Sequence, residues 1–556
     1  MSWQVFEEDK PQVAQALQEG RFDYMEVVAA VEERRFFRRL LEGGVLEGLA
    51  REYPSPRRKE EVPLWLYLAS ELTLRLHGAN GFAAYPYILH CGGLVDALGP
   101  DQVERNESLG AQKERTIFRG YNHKNHYTRV TPCDADFLRK MSKDTDPEAL
   151  EAWFGTSGVR AYREMGALDP EGLFFVDSTY IFVPLDNERY EGSSLLRFHE
   201  DGRPVDAEAF EALPPEQKAR CAWRRCYRQL KLTHSPADGG FSLCCGSKVL
   251  PGKASDVPWV GPLVERCVGA LGPRAMKLLV HDRGLVDGET VSRLKGLGVD
   301  SLFPLKRGMD VWEDAKVLAA YEDRAWRRYD LPRPAPPPIP KDRPPAVARR
   351  EAQRQRTLQA RGRAPCAPAR ALTGIEYQYV EPSRVWESCR VPVTVLLIKN
   401  HYAHGETLDW ALASTREFPD PLQMWTTYRL RPVIEEDHRQ DKCFWDMTPF
   451  RSPALAHVVN RIVFVELAAS LIQIFLRQVE RSDLVGRTRQ RLLDALRPNQ
   501  KKIALYCDQR FGLFDPYEYQ ELLLTLRDGA RRKVLGKTRR LRRSQQTPPD
   551  LPWRPE

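Results

Sequence analysis

Residues 428–442 read YRLRPVIEEDHRQDK, and the fold expected for the chain follows from this stretch. On one α-helix, Tyr428, Arg431, Glu435 and Lys442 would share a stripe about 60° wide, with the carboxylate between the cations and the phenol. A carboxylate framed by Arg, Lys and Tyr is suited to holding a metal beside a phosphate. The alternative is an amphipathic surface helix with ordinary charge pairs.

Pro432 complicates this helix, because a proline in a helix interior removes a hydrogen bond and clashes with the preceding turn. The helix therefore either begins at Pro432, with Tyr428 and Arg431 in the turn before it, or begins earlier and kinks. Both arrangements keep Glu435 near a helix N-terminus, where the helix dipole favours a charged carboxylate.

A first upstream acid lies within residues 173–184, LFFVDSTYIFVP, an apolar strand with Asp177 in its middle. A buried Asp is costly unless a metal, an Arg or several hydrogen bonds compensate its charge. The alternative is that Asp177 ends the strand and caps a turn through Ser178 and Thr179.

A second upstream acid follows another apolar strand, in residues 276–288, MKLLVHDRGLVDG. The pattern predicts a strand over 276–281, then Asp282 in a turn, then a helix from about Asp287 to Leu297. A strand-end Asp in such a turn also has an ordinary structural role as its alternative.

The three acidic signals, in this order, resemble the DDE transposases of bacterial cut-and-paste insertion sequences, the group with the signature Tyr-x2-Arg-x3-Glu-x6-Lys. Members of that family carry a VDST-like strand for the first acid and a DRG-like turn for the second. The resemblance implies that Asp177, Asp282 and Glu435 are catalytic and bind two Mg²⁺ ions, or Mn²⁺, about 4 Å apart at the scissile phosphate. Hard oxygen ligands suit these ions and not zinc.

The resemblance also implies a set of DNA contacts. Arg431 and Lys442 would clamp phosphates of the transposon end, and Tyr428 would hydrogen-bond a phosphate near the cleaved strand. In similar transposases a Trp shortly before the signature stacks on a base flipped out of the transposon end, and Trp410 occupies that place. A core aromatic is the alternative for Trp410, because Trp is usually well buried.

The function implied by the family is metal-dependent cleavage of transposon ends and strand transfer into target DNA. Double-stranded DNA, as transposon ends and as target, is the expected partner, and a homodimer on DNA is the expected assembly. Two alternatives stay open: a metal-dependent nuclease of the same fold without strand transfer, and a decayed or domesticated copy retained as a DNA-binding protein.

The fold class expected is α/β, with a ribonuclease-H-like catalytic core, a strand-rich insertion and a helical N-terminal domain. In that fold the acids lie on the first strand, at the end of the fourth strand and on a later helix. Between the first two acids the sequence predicts strands near 227–235 and 241–249 and an amphipathic helix near 257–272. The interval between Asp282 and Glu435 is too long for a simple connection, which leaves room for the insertion.

The domain boundaries follow from these assignments. The expected segments are a helical DNA-binding domain over 1–165, the first part of the core over 166–308, an insertion over 309–421 with a Pro/Arg-rich basic linker over 331–370, the second part of the core over 422–490, and a helical C-terminal region over 491–556.

Composition sets the remaining expectations. The 556 residues carry a modest net charge of +8, but basic residues cluster in the tail RRKVLGKTRRLRR, residues 531–543, which has no acid. That tail is expected to bind phosphates. The alternative is a solvated disordered end, and the two are compatible. The apolar segment 452–477 contains Asn460, Arg461 and Glu466, which favours a buried core helix over a membrane span. Without a secretory signal, the 11 cysteines suggest reduced thiols in a cytoplasmic, nucleoid-associated bacterial protein.

Overall fold

The computed structural model describes residues 7–28, 31–58, 62–82, 94, 123–124, 127–128, 135–200, 202–237, 241–331, 372–383, 388–402, 405–496 and 502–546. The chain divides into two compact units. The first unit comprises Met1–Met276 with Pro432–Glu556, and the second unit comprises Lys277–Arg431. Each unit contains helices and a sheet, so the predicted α/β class is confirmed.

Helices are numbered here in chain order over the described residues. They are α1 (Lys10–Gln18), α2 (Val31–Glu42), α3 (Val45–Arg51), α4 (Leu64–Leu76), α5 (Ala135–Asp144), α6 (Pro147–Trp153), α7 (Val159–Glu164), α8 (Ala207–Glu211), α9 (Pro215–Lys218), α10 (Val257–Leu271), α11 (Gly288–Gly296), α12 (Asp310–Tyr321), α13 (Pro421–Tyr428), α14 (Pro432–Phe444), α15 (Leu455–Gln478), α16 (Arg489–Leu496), α17 (Pro516–Thr525) and α18 (Asp528–Gln546). One π-helical turn, Phe154–Gly158, joins α6 to α7.

Strands are numbered in the same way. They are β1 (Glu7–Glu8), β2 (Tyr24–Val28), β3 (His123–Lys124), β4 (Tyr127–Thr128), β5 (Leu173–Val183), β6 (Ser194–Phe198), β7 (Pro204–Val205), β8 (Ala222–Ser235), β9 (Leu243–Pro251), β10 (Leu278–His281), β11 (Asp300–Pro304), β12 (Arg327–Asp330), β13 (Leu372–Ser383), β14 (Val393–Tyr402), β15 (Thr407–Ser414), β16 (Lys502–Cys507) and β17 (Arg510–Phe514).

An antiparallel sheet in the first unit carries the first predicted acid. Strand β8 pairs with β5 along one edge, and with β6 and then β9 along its other edge; β7 pairs with β6. The strands predicted near 227–235 and 241–249 are therefore confirmed as β8 and β9, and the helix predicted near 257–272 is confirmed as α10.

Helix α15 forms the centre of the core of the first unit. It packs against α4, α6 and β9. In its most apolar 18-residue stretch, 94% is buried inside the protein. The helix is long and apolar enough to span a membrane by length and composition alone. Its packing against other elements agrees with the core helix predicted over 452–477, which the structure confirms.

Both ends of the chain contribute to a second, smaller sheet of the first unit, in the order β1-β17-β16-β2. Strand β1 is parallel to β17, and the other two pairings are antiparallel. Helices α1, α17 and α18 pack against this sheet through Val13, Leu17, Tyr519 and Val534. The terminal regions predicted to be helical therefore contain strands as well.

A mixed sheet organises the second unit, in the order β12-β13-β14-β15-β11-β10. Only the β10–β11 pair is parallel among the pairings of this unit's described strands. Long strands β13, β14 and β15 account for the β-rich runs expected in the insertion. Residues 332–371 lie outside the described residues, as do 83–93 and 95–122, so nearly all of the predicted linker over 331–370 and part of the predicted N-terminal domain go undescribed.

Candidate active site

Asp177 lies in the middle of β5 and is only 9% exposed. Its Oδ1 accepts a hydrogen bond from the backbone N–H of Ser178 at 2.8 Å. The strand continues without a break to Val183, so the interpretation in which Asp177 ends the strand and caps a turn is wrong. A carboxylate thus occupies a buried position in a sheet, where its charge requires compensation.

The signature stretch spans two helices rather than one. Helix α13 ends at Tyr428, a turn brings the N–H of Arg431 to the carbonyl of Tyr428 at 3.0 Å, and α14 begins at Pro432. The expectation that four side chains share one helical stripe is therefore wrong, and the alternative with Pro432 as first residue is confirmed. Proline explains the break, because its ring excludes a preceding helical turn but fits the first helical position.

Glu435 lies in the first turn of α14 and is exposed. Lys442 lies two turns later on the same side of that helix. The Lys442 ammonium donates to Thr179 Oγ1 at 2.6 Å, and burial lowers the pKa of Lys442 while nearby carboxylates, Asp177 among them, oppose that shift. Because Thr179 and Asp177 are two residues apart on a strand, both point to the face of β5 that receives α14.

The second unit contains the second acid, at the end of β10. Asp282 caps a single 3₁₀ turn, Arg283–Leu285, and is partly exposed. Its Oδ1 lies 3.2 Å from a terminal nitrogen of Arg431, whose side chain is 17% exposed. The structure therefore brings two predicted site residues, Asp282 and Arg431, into an ion pair that sequence spacing did not predict.

Trp410 lies on β15 and is half-buried. Its ring meets the ring of Tyr428 edge-on, with the centroids 5.2 Å apart and the planes at 64°. Both rings line an open cleft of about 440 Å³ together with Asp282, Arg283 and Lys306. A partly exposed aromatic beside two cations and a carboxylate is not a sealed core residue, although its role on DNA stays a prediction.

A second open cleft, of about 550 Å³, adjoins the other side of Trp410. It is lined by polar and aromatic side chains of the same unit, among them Arg283, Arg307, Asn400 and Tyr402. On β14, Asn400 and Tyr402 alternate onto one face of the strand, and in the register of β14 with β15 Asn400 lies opposite Leu408. Trp410 and Arg283 thus line both clefts.

The sequence did not predict a buried ionic cluster beneath α14. Lys231, on β8, is 1% exposed, and its Nζ lies 2.5 Å from Asp437, 2.5 Å from Asp441 and 3.8 Å from Glu466. In the β5–β8 register Lys231 is directly opposite Asp177. A signal was present: Lys231 and Glu466 are single charges within apolar runs, and Asp437 and Asp441 are one helical turn apart.

Further hydrogen bonds complete this cluster. Ser242 donates to Asp437 at 2.8 Å, and Thr233 donates to the same carboxylate at 3.3 Å. Gln229 donates to Glu466 at 2.5 Å. These bonds matter because a buried carboxylate without partners would cost several kcal/mol.

Protonation in the cluster follows from its burial. Burial raises the pKa of Glu466 to about 8 and that of Asp441 to about 6, although Lys231 opposes both shifts. Burial alone would lower the pKa of Lys231, but Asp437 and Asp441 outweigh it and the pKa is raised. At neutral pH these shifts favour a charged Lys231 and a protonated Glu466.

Another group of candidate metal ligands lies in the terminal sheet. The ligating atoms of Asp23, Cys507 and Asp508 are within 4.8 Å of one another. Arg21 already pairs with Asp508 at 3.1 Å, and burial raises the pKa of Cys507 to about 11. A protonated thiol is a poor metal ligand, so this group is better described as an ion-paired turn.

Comparisons with known proteins add little to this geometry. No family model matches the chain, and no curated protein matches it. A cryo-EM structure of a piggyBac transposase synaptic complex with hairpin DNA aligns over 96% of this chain and 90% of that chain, with 10% identity and a TM-score of 0.35. A superposition at that score is too loose to support an inference about the fold or function of this chain.

Proposed function

We propose that the protein is a DNA transposase of the DDE type, which cleaves transposon ends and joins them to target DNA in a metal-dependent reaction. The observation that carries the proposal is the ordered set Asp177, Asp282 and Tyr428-x2-Arg431-x3-Glu435, completed by Lys442. Each acid belongs to the kind of element that the resemblance requires: a buried strand, a strand end and a helix.

We also propose that the catalytic core is ribonuclease-H-like. The element order supports this: leaving out the short elements β6, β7, α8 and α9, the chain runs β5, β8, β9, α10, β10, α11 and β11. In this order Asp177 is on the first strand and Asp282 follows the fourth. Glu435 is on a later helix, after the strand-rich segment that contains β13, β14 and β15.

Asp177, Asp282 and Glu435 are the residues that would hold Mg²⁺ or Mn²⁺. The donor set fits, because it consists of carboxylate oxygens, the ligands these hard cations prefer. When bound, the metal supplies activation of a water or a DNA 3′-hydroxyl and neutralisation of charge on the leaving oxygen. Asp177 suits such a ligand role, since it is a buried carboxylate in the middle of a strand.

The cations of the site hold the DNA in this proposal. Arg431 lies 3.2 Å from Asp282, and the planar guanidinium has the geometry for a bidentate phosphate contact. Lys442 donates to Thr179, and an ammonium has two more donors. Both cations are thus oriented by the protein before DNA arrives, which lowers the entropy cost of binding.

The rings at the two clefts provide a platform for an unstacked base. Trp410 presents a half-exposed ring, and Tyr428 supports it from the side. Stacking of a base on such a ring contributes about 1–3 kcal/mol. Arg283 and Lys306 line the same cleft and would meet the flanking phosphates.

A further contact with DNA is expected from α18. Val534 is fully buried against the terminal sheet, and Lys537 donates to the carbonyl of Phe22. Arg539 and Arg540 are exposed. Over residues 528–546 the basic tail is therefore a helix and not a disordered end, and it offers a row of cations to a phosphate backbone.

A joining assay tests this function. The purified protein is incubated with DNA that flanks its own gene, labelled at the ends, together with a supercoiled target plasmid and Mg²⁺. A transposase produces labelled plasmid, because liberated 3′-hydroxyls attack the target. Cleaved ends without labelled plasmid indicate a nuclease, and a shifted band without cleavage indicates a DNA-binding copy; either result would overturn the proposal.

A further inference from the structure

We propose that Lys231 is a positioning residue, which holds the helix of Glu435 at a fixed rotation against the strands that carry Asp177. The proposal rests on the proposed function, since it concerns the geometry of the same acids. It assigns a role to a buried charge cluster that the proposed chemistry does not otherwise use.

The Lys231 side chain contacts two helices of the first unit, α14 and α15. Lys231 projects from β8 and binds Asp437 and Asp441 of α14 at 2.5 Å each. From the other side Glu466 of α15 is more distant, at 3.8 Å. With Lys231 only 1% exposed, water does not screen these attractions, so they hold the helix more firmly than a surface pair would.

This arrangement fixes the rotation of α14 about its own axis. Asp437 and Asp441 are four residues apart, so they share one face of the helix, and that face is turned towards Lys231. Glu435 precedes Asp437 by two residues, about 200° around the axis, and is exposed. A turn of the helix that freed the aspartates would therefore swing the Glu435 carboxylate as well.

The pairing register of β5 and β8 supports the positioning role of Lys231. Lys231 is paired directly with Asp177 across β5 and β8, so the anchor lies at the level of the first acid. Lys442 adds a second tether from α14 to Thr179 of β5. The two tethers fix α14 both around and along its axis, relative to the strand of Asp177.

The test compares substitutions on the two sides of Lys231. Asp441→Asn keeps the side-chain volume and weakens the 2.5 Å bond on the α14 side. Glu466→Gln makes the matched change on the α15 side, where the acid is 3.8 Å from Lys231. Lys231→Met removes the anchor itself. Hydrogen exchange of backbone amides and calorimetric binding of Mn²⁺ are measured on the full chain.

We expect amides of 432–444 to exchange about tenfold faster in Asp441→Asn, and faster still in Lys231→Met, because each lost charge-assisted bond has roughly that effect. Mn²⁺ binding should weaken about tenfold in both variants. Glu466→Gln should leave both quantities near wild type. If Lys231→Met does not fold, Asp441→Asn carries the test alone.

Two results would overturn the positioning role of Lys231. One is unchanged amide exchange of residues 432–444 in Asp441→Asn. The other is an equally large increase of that exchange in Glu466→Gln, which would indicate general loosening of the core. Failure of the proposed function has a different signature. In that case wild type does not cleave its DNA ends in Mg²⁺ or Mn²⁺, and Glu435→Gln does not change Mn²⁺ binding, while the exchange data still report on the anchor.

Discussion

Neighbouring acids on α14 have different surroundings, and this decides what each can do. Glu436 accepts hydrogen bonds from Arg439 at 2.6 and 2.7 Å and from Gln440 at 2.6 Å, and these bonds lower its pKa. Glu435 lies in the first helical turn, about 100° away around the axis. Glu436 is therefore engaged in a surface ion pair, whereas Glu435 is the member of the signature.

We expect Glu435→Gln to reduce Mg²⁺-dependent cleavage of transposon ends at least about 100-fold, because it removes a charged metal ligand. Glu436→Gln, the matched control one residue away, should cleave like wild type. Gel quantification of cleaved ends, with DNA binding measured in parallel, checks both. Equal losses in the two variants would refute the assignment of Glu435.

His234 gives a prediction about pH. Burial lowers its pKa to about 4, while its Nε2 accepts the N–H of Asp169 at 3.1 Å. Between pH 6.5 and 4 the unfolded chain binds a proton that the folded chain excludes, so the free energy of unfolding falls as pH falls through this window. The loss attributable to His234 reaches roughly 3 kcal/mol near pH 4.

His234→Gln isolates this contribution, because Gln retains an acceptor for the Asp169 N–H but does not titrate in this range. We expect urea denaturation of wild type to show a steeper decline between pH 6.5 and 4 than that of the variant. Parallel pH profiles for the two proteins would mean that His234 binds its proton in the folded state.

The positions of the acids could be predicted at the residue scale, but their partners could not. Asp177 and Asp282 stood out because each is an acid at the middle or end of an apolar strand. The pairing of Asp282 with Arg431, and of Lys231 with Asp437 and Asp441, depends on contacts between distant segments. No local pattern encodes which of several nearby cations an acid will meet.

At the scale of elements, helices and strands with clear periodicity were predicted well. Strands β8 and β9 and helices α10 and α15 follow from alternation and from long apolar runs. The α13–α14 pair was harder, since Pro432 is compatible with either a kink or a new helix, and the sequence alone did not choose between them.

Strand β15 carries the prediction about base flipping. Trp410→Ala removes a ring that lines both clefts. We propose that cleaved ends pass through a hairpin, which requires a flipped base, and expect the variant to slow hairpin formation or resolution about tenfold, with little effect on first-strand nicking, which needs no flipped base. Trp326→Ala is the matched control: that ring is 38% exposed in the same unit and lies against Lys399 instead of lining either cleft. Time courses on pre-nicked and intact ends separate the steps.

If Trp410→Ala slowed nicking and the hairpin steps equally, the only role left for Trp410 would be packing. A defect of the same size in Trp326→Ala would indicate that any lost Trp loosens the unit.

Helix α18 carries a prediction about salt. We expect Arg539→Gln with Arg540→Gln to weaken binding to non-specific duplex DNA and to reduce the slope of log affinity against log salt by about 2, one unit per lost phosphate contact. Arg220→Gln with Lys316→Gln is the control pair, two exposed cations that lie outside the expected DNA-binding domain. Fluorescence anisotropy at several salt concentrations checks this; equal slopes in the two double variants would refute a contact by α18.

For the whole molecule, the sequence predicts the class of fold but not how segments combine. The terminal sheet pairs β1 with β17 and β2 with β16, and so joins strands from opposite ends of the chain. Such pairing depends on complementary edges and on packing against Val534 and Leu505, which local periodicity does not reveal. The three acids could be picked out along the chain, because each lies in a short sequence motif.

The central claim is that acids from three distant segments bind one catalytic metal centre. Its most direct measurement is metal rescue: Asp177→Cys, Asp282→Cys and Glu435→Cys are assayed for end cleavage in Mg²⁺ and in Mn²⁺, each beside the corresponding Ala variant. A thiolate binds Mg²⁺ poorly but accepts the softer Mn²⁺. The account predicts that every Cys variant is inactive in Mg²⁺ and recovers part of its cleavage in Mn²⁺, while the Ala variants stay inactive in both. A Cys variant that binds DNA yet gains nothing from Mn²⁺, or an Ala variant that cleaves like wild type, would contradict it.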